Sequence, residues 1–189
     1  CRLITLTGPG GSGKTRLAIE AARQQVSYYS QGVYFVSLAP ITAVEHIIPA
    51  IAEAMHFRFQ HDGRSLPAQL SAYLSNKQVL LILDNFEHLV EGATLVNELL
   101  QVSSGLNCIV TTRERLQLSS ETIFAVGSLS FPAESSSHNV TEYDAIELFV
   151  KMAHRVYPRF QPYAEDYQAV IRICQLVGGM PLGVILAAS

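Results

Sequence analysis

The eight residues Gly8 to Thr15, GPGGSGKT, constrain this chain more than any other stretch of its 189 residues. They satisfy the pattern G-x-x-x-x-G-K-[ST], and they lie between a short β-branched run, Arg2 to Thr7, and a helical pattern that opens at Lys14. Glycine-rich backbone in that position can turn its amides inward, where a Cβ would hold a polyphosphate away. The helix start at Gly13–Lys14 adds free N–H groups and the positive end of a dipole. Lys14 supplies a mobile positive charge for the β- and γ-phosphates of a nucleotide, and the Thr15 hydroxyl faces Mg²⁺. The expected phosphate contacts are Gly8, Pro9, Gly10, Gly11, Ser12, Gly13, Lys14 and Thr15, with Arg16 beside them.

The rest of the chain supplies the architecture such a loop needs. Strand-like runs are expected at Arg2 to Thr7, Val33 to Leu38, Gln78 to Asp84, Asn107 to Thr112 and Thr122 to Val126. Helical patterns separate them: Lys14 to Tyr29, Val44 to Phe57, Ser65 to Ser75 and Glu87 to Val102. Pro67 is tolerated in the first turn of its helix, and Pro49 marks a kink or another first-turn position. That alternation predicts an α/β fold built on a parallel sheet. Past about residue 127 the pattern is helical only, at Tyr143 to Val156, Tyr163 to Val177 and Pro181 to Ser189. The expected organisation is an α/β domain over 1–127, a Pro- and Ser-rich linker over 128–139, and a partial helical domain over 140–189. The chain opens on Cys1 inside a strand pattern and stops at Ser189 inside a helical one, as expected of a segment from a longer protein.

Two strand ends carry the polar chemistry. Asp84 follows the apolar run Val79 to Leu83, where an unpaired carboxylate would be costly. A Mg²⁺ ion reached through water resolves that cost, and capping of the next helix is the competing explanation. Nucleotide hydrolases of this general kind often place a Glu immediately after this Asp; here the residue is Asn85, whose amide can orient water but cannot accept a proton at neutral pH. Glu87 reads first as a helix-start carboxylate and second as a chemical group. After the fourth strand, Thr112 and Arg113 stand where ligands meet an open α/β sheet, and Arg115 competes with Arg113 for contact with the γ-phosphate.

Composition excludes several other classes. Lys and Arg number 13 against 16 Asp and Glu, a formal charge of −3, which offers no surface for nucleic-acid binding by counterion release. The apolar runs are far too short to span a bilayer. Cys1, Cys108 and Cys174 are distant and odd in number, which argues for a reducing, cytoplasmic setting rather than a disulfide framework. His46, His56, His61, His88, His138 and His154 show no metal-ligand spacing. A metabolic P-loop kinase would need an arginine-rich lid, and residues 128–172 contain only Lys151, Arg155, Arg159 and Arg172.

In combination, GPGGSGKTRLA (Gly8 to Ala18), LLILDNFEHL (Leu80 to Leu89), TTRERL (Thr111 to Leu116) and GGMPLGVILAA (Gly178 to Ala188) resemble the nucleotide-binding, NB-ARC-like module of STAND-class signalling P-loop ATPases. The version found in large bacterial transcriptional regulators is the most similar. The resemblance implies a three-layer sandwich with sheet order 5-1-4-3-2, followed by a small all-helical domain. It also implies ATP/ADP and Mg²⁺ as ligands, Lys14, Asp84, Asn85 and Arg113 as the chemical groups, Arg113 as phosphate sensor and Pro181 against the nucleotide. A switch of this kind is held closed by ADP and opened by ATP, with flanking domains of the same protein as partners and nucleotide-dependent self-association in the whole protein. Slow or partner-dependent ATP hydrolysis is the leading expectation, and a non-hydrolysing ADP-binding interaction module is the alternative.

Overall fold

The computed structural model describes residues 1–133 and 140–189. By contact they divide into two compact units: Cys1–Gly8 with Lys14–Ala125, and Pro9–Gly13 with Val126–Ser189. Residues 134–139 of the expected linker, including His138, lie outside the described residues.

The first unit is built on five strands: β1 (Leu3–Thr7), β2 (Val33–Ser37), β3 (Val79–Asp84), β4 (Leu106–Thr112) and β5 (Glu121–Ala125). Every pairing is parallel, and the strand order β2-β3-β4-β1-β5 is the expected 5-1-4-3-2. The apolar sequence of β3 has a direct cause, since all six of its residues are buried. Val79, Leu81 and Leu83 pack in one cluster with Ile47 and Ile51 of α2 (Ile47–Ala54), Leu70 and Leu74 of α3 (Leu66–Leu74), and Val96 and Leu99 of α4 (Ala93–Val102). Leu80 and Ile82 point the other way by strand alternation, to the face where α1 (Lys14–Gln25) buries Ala18 and Ala22. β3 is thus covered on both sides.

Local signals explain most boundaries. Ser65 Oγ accepts from Ala68 N at 3.4 Å to cap α3, and Pro67 sits in its first turn. The Arg2 guanidinium donates at 2.6 Å to the carbonyls of Leu100 and Ser103, closing the C-terminal end of α4. One expectation is corrected. The stretch read as a helix from Glu87 begins as two short 3₁₀ turns, Phe86–His88 and Val90–Gly92, and regular helix starts only at Ala93. The reason is Asn85, whose φ of 64° and ψ of 51° put it in the left-handed region and turn the chain sharply after β3.

In the second unit, α5 (Asp144–Val156), α6 (Ala164–Leu176) and α7 (Pro181–Ala187) bury Ala145, Ile146, Phe149, Ala153, Val170, Ile171, Cys174 and Val184 against one another. Pro181 occupies the first turn of α7, where its missing N–H leaves nothing unsatisfied. Among the described residues no helix is long and apolar enough to cross a membrane.

Candidate functional site

The end of β3 carries the centre of the site. Asp84 is 5% exposed, and its Oδ1 accepts two short hydrogen bonds, from Thr15 Oγ1 at 2.7 Å and from Thr111 Oγ1 at 2.6 Å. Thr15 comes from the first turn of α1 and Thr111 from the end of β4, so three elements converge on one carboxylate oxygen. The Thr111 oxygen also accepts from Asn85 N at 3.0 Å, which pins the left-handed turn to the neighbouring strand. The sequence points to the adjacent Thr112, beside Arg113 on the γ-phosphate side, and not to Thr111 as the hydroxyl that meets Asp84. Thr112 is instead fully buried and accepts from Glu114 N at 3.3 Å.

Around this centre stand the charged groups. Lys14 Nζ donates to Gly8 O at 2.8 Å. Burial pushes the Lys14 ammonium below the ordinary lysine value; Glu87 and Asp84 pull it back up, and Arg113 adds to the depression. Arg113 Nε lies 3.3 Å from Glu87 Oε1, and Asn85 Nδ2 donates to that same oxygen at 3.4 Å. Glu87 Oε2 is buried and has no hydrogen-bond partner among the described residues. The structure therefore brings together Lys14, Thr15, Asp84, Asn85, Glu87, Thr111 and Arg113. Arg115 and Arg16 are exposed, and among the described residues no hydrogen bond or ion pair ties either one to this group. His88, next to Glu87, is tied elsewhere, its Nε2 standing 2.7 Å from Ile41 O.

The loop residues Pro9–Gly13 group with the second unit. Gly11 has a φ of 81°, and a Cβ there would approach Leu182 Cβ to 2.8 Å; Leu182 N donates to Gly11 O at 3.2 Å. Leu182 directly follows Pro181, so the GGMPLG segment is bonded to the glycine-rich loop within this unit. Gly13 has a φ of 93°, and nothing lies within 4 Å of the place a Cβ would take. Ser12 Oγ is buried without a partner among the described residues. Left-handed glycines, an open approach and an orphaned hydroxyl suit a phosphate-bearing ligand. Thr15 and Asp84, two hard oxygen donors, suit Mg²⁺, which keeps much of its water and takes few protein ligands.

Known proteins resemble this chain in sequence and in fold. A family model described as an AAA domain matches residues 1–118. A protein of Mycobacterium tuberculosis (strain H37Rv), named provisionally as an HTH-type transcriptional regulator, is 38% identical over all 189 residues of this chain, which cover 20% of that protein. The chain thus spans about a fifth of the length of this relative. The structure is also similar to a STAND (Signal Transduction ATPase with Numerous Domains) protein with a tetratricopeptide repeat sensor from Pyrococcus horikoshii. That match has a TM-score of 0.53 and 16% identity over 96% of this chain and 26% of the other. Cdc6p from Pyrobaculum aerophilum gives a TM-score of 0.65 at 14% identity, covering 98% of this chain and 52% of its own.

Proposed function

This chain belongs to the AAA domain family, and on that footing we propose that it is the ATP/ADP-binding switch module of a larger signalling or transcription-regulatory protein, with slow or partner-dependent ATP hydrolysis. The observation that carries the reading is the bonded pair Thr15 Oγ1 and Asp84 Oδ1 at the end of β3. A hydroxyl and a carboxylate held that closely are the two protein groups that a nucleotide-bound Mg²⁺ needs, one directly and one through water.

In this reading Gly8 to Thr15, with Arg16, hold the phosphates, and Lys14 offsets their charge. Mg²⁺, when bound, draws charge from the phosphate oxygens. Asn85 orients water without accepting its proton, and Arg113 answers to the γ-phosphate. Pro181, one residue before the bond from Leu182 to Gly11, reports whether ADP is present. Exchange of ADP for ATP would then release the closed state and allow self-association of the whole protein in the cytoplasm. A module that binds ADP and hydrolyses nothing is the second reading, favoured by the absence of a carboxylate at position 85.

Lys14→Ala tests the core of the proposal. Loss of charge-assisted bonds to phosphate should weaken ADP and ATPγS binding about 100-fold, with the circular dichroism spectrum unchanged. Calorimetric titration reads the affinity, and chromatography of nucleotide released from denatured wild-type protein should yield ADP. Unchanged affinity in a folded Lys14→Ala protein would overturn the assignment.

A further inference from the structure

The left-handed turn at Asn85 has a chemical consequence for the residue two positions on. It folds Phe86–His88 into a 3₁₀ turn beside the end of β3, and Glu87 is brought back to the group formed by Asn85 and Arg113. One oxygen of this carboxylate is held, since Oε1 meets Asn85 Nδ2 and Arg113 Nε. The other, Oε2, is buried with no donor among the described residues. A buried carboxylate oxygen left without a donor is expensive, and a water molecule is the smallest donor that would satisfy it. Among the charges that act on the Lys14 ammonium, Glu87 raises it most.

We propose that Glu87 is the catalytic base of ATP hydrolysis in this chain, with Oε2 as the accepting atom and Asn85 and Arg113 holding Oε1. The inference rests on the ATP-binding reading above and supplies the base that position 85 lacks. Water oxygen bonds to the γ-phosphorus while one of its protons passes to Glu87 Oε2. The bond from the γ-phosphorus to the bridging oxygen breaks, and its electron pair leaves with ADP. Glu87 then returns the proton to the released phosphate or to solvent. Asn85 serves as a positioning residue. Its amide steers the carboxylate, and its side chain suits the left-handed backbone where a Glu would be strained.

Glu87→Gln keeps the size of the side chain and an oxygen for Arg113 but removes the base. The first cleavage of ATP, measured with protein in excess, should fall about 10²- to 10⁴-fold relative to wild type. ATPγS affinity, by calorimetry, should stay within about threefold, because the removed proton acceptor acts in the transition state rather than in binding. Glu87→Asp retains a carboxylate drawn back by one methylene. It should cleave at a rate between the other two, and it carries the test if the Gln variant does not fold. Equal cleavage in wild type and Glu87→Gln would overturn the assignment. Affinity falling in step with cleavage would also overturn it, making Glu87 a clamp for Arg113. Wild-type protein that binds ATPγS but never cleaves ATP would leave the binding reading standing and remove the base. Wild-type protein that binds no nucleotide would overturn both.

Discussion

The end of β3 and the helical core of the second unit are both buried, but the burial is of opposite kinds. At the strand end, Asp84, Thr15, Thr111 and Asn85 satisfy one another through oxygen and nitrogen atoms, each at a fixed distance. In the helical core, Ala145, Ile146, Phe149, Ile171, Cys174 and Val184 meet through carbon and sulfur, and no directional bond specifies which apolar side chain stands where. The strand end is therefore specified by chemistry and the helical core by volume. Substitution should separate the two, with volume changes acting on stability and changes of donor or acceptor acting on nucleotide handling.

The largest expected effect is on the helical side. Ile146→Ala, at a fully buried position of α5, should destabilise the second unit by about 2–5 kcal/mol. Hydrogen exchange read by segment should show protection lost over α5 and α6, with β3 and β4 unchanged; equal loss in the strands would erase the distinction. Thr111→Val is the counterpart at the strand end. It preserves shape while Asp84 loses a donor and Asn85 N an acceptor, so stability should fall by about 1–3 kcal/mol. Here the comparison is sharpened if Mg²⁺-dependent ADP affinity also falls, and broken if calorimetry finds it unchanged. The smallest effect belongs to Asn85. Asn85→Ala should cost about 1 kcal/mol in chemical denaturation because alanine tolerates the left-handed region poorly. Asn85→Gly should hold stability near wild type while still losing the amide that touches Glu87. Comparing ATP cleavage in the two variants then separates the backbone role of this residue from its chemical one.

How far the sequence anticipated the structure depends on whether a feature is periodic. The five strands, the helices between them and the three helices of the second unit follow from runs of five to thirteen residues with one apolar period. The sheet order is different: it came from the resemblance to a known family, because spacing along the chain does not say which parallel strands are neighbours. Residues 87–92 read as helix because turns of three residues and of 3.6 cannot be told apart over six positions. The same turn hid Glu87. Its distance from Asp84 in sequence is short, but its direction depends on the backbone angles of one asparagine. Thr111 and Thr112 posed the equivalent problem in a strand, where neighbouring side chains take opposite faces and the sequence alone does not say which one meets Asp84.

The position of β1 in the sheet sets a timetable for the growing chain. Both neighbours of β1 come far later in sequence: Leu3 pairs with Cys108 on one side and Glu121 on the other. At ordinary rates of synthesis those partners emerge roughly 5–25 s after β1 itself. Only β2 and β3 can pair early, through Val33 and Leu80 and the residues that follow. The strand of this sheet that is made first is thus among the last to find its place, and Gly8, Lys14 and Thr15 follow directly from it. Nucleotide capture in the cell would accordingly be a late event, available as a ligand-driven pull on assembly only after residue 125 has been made.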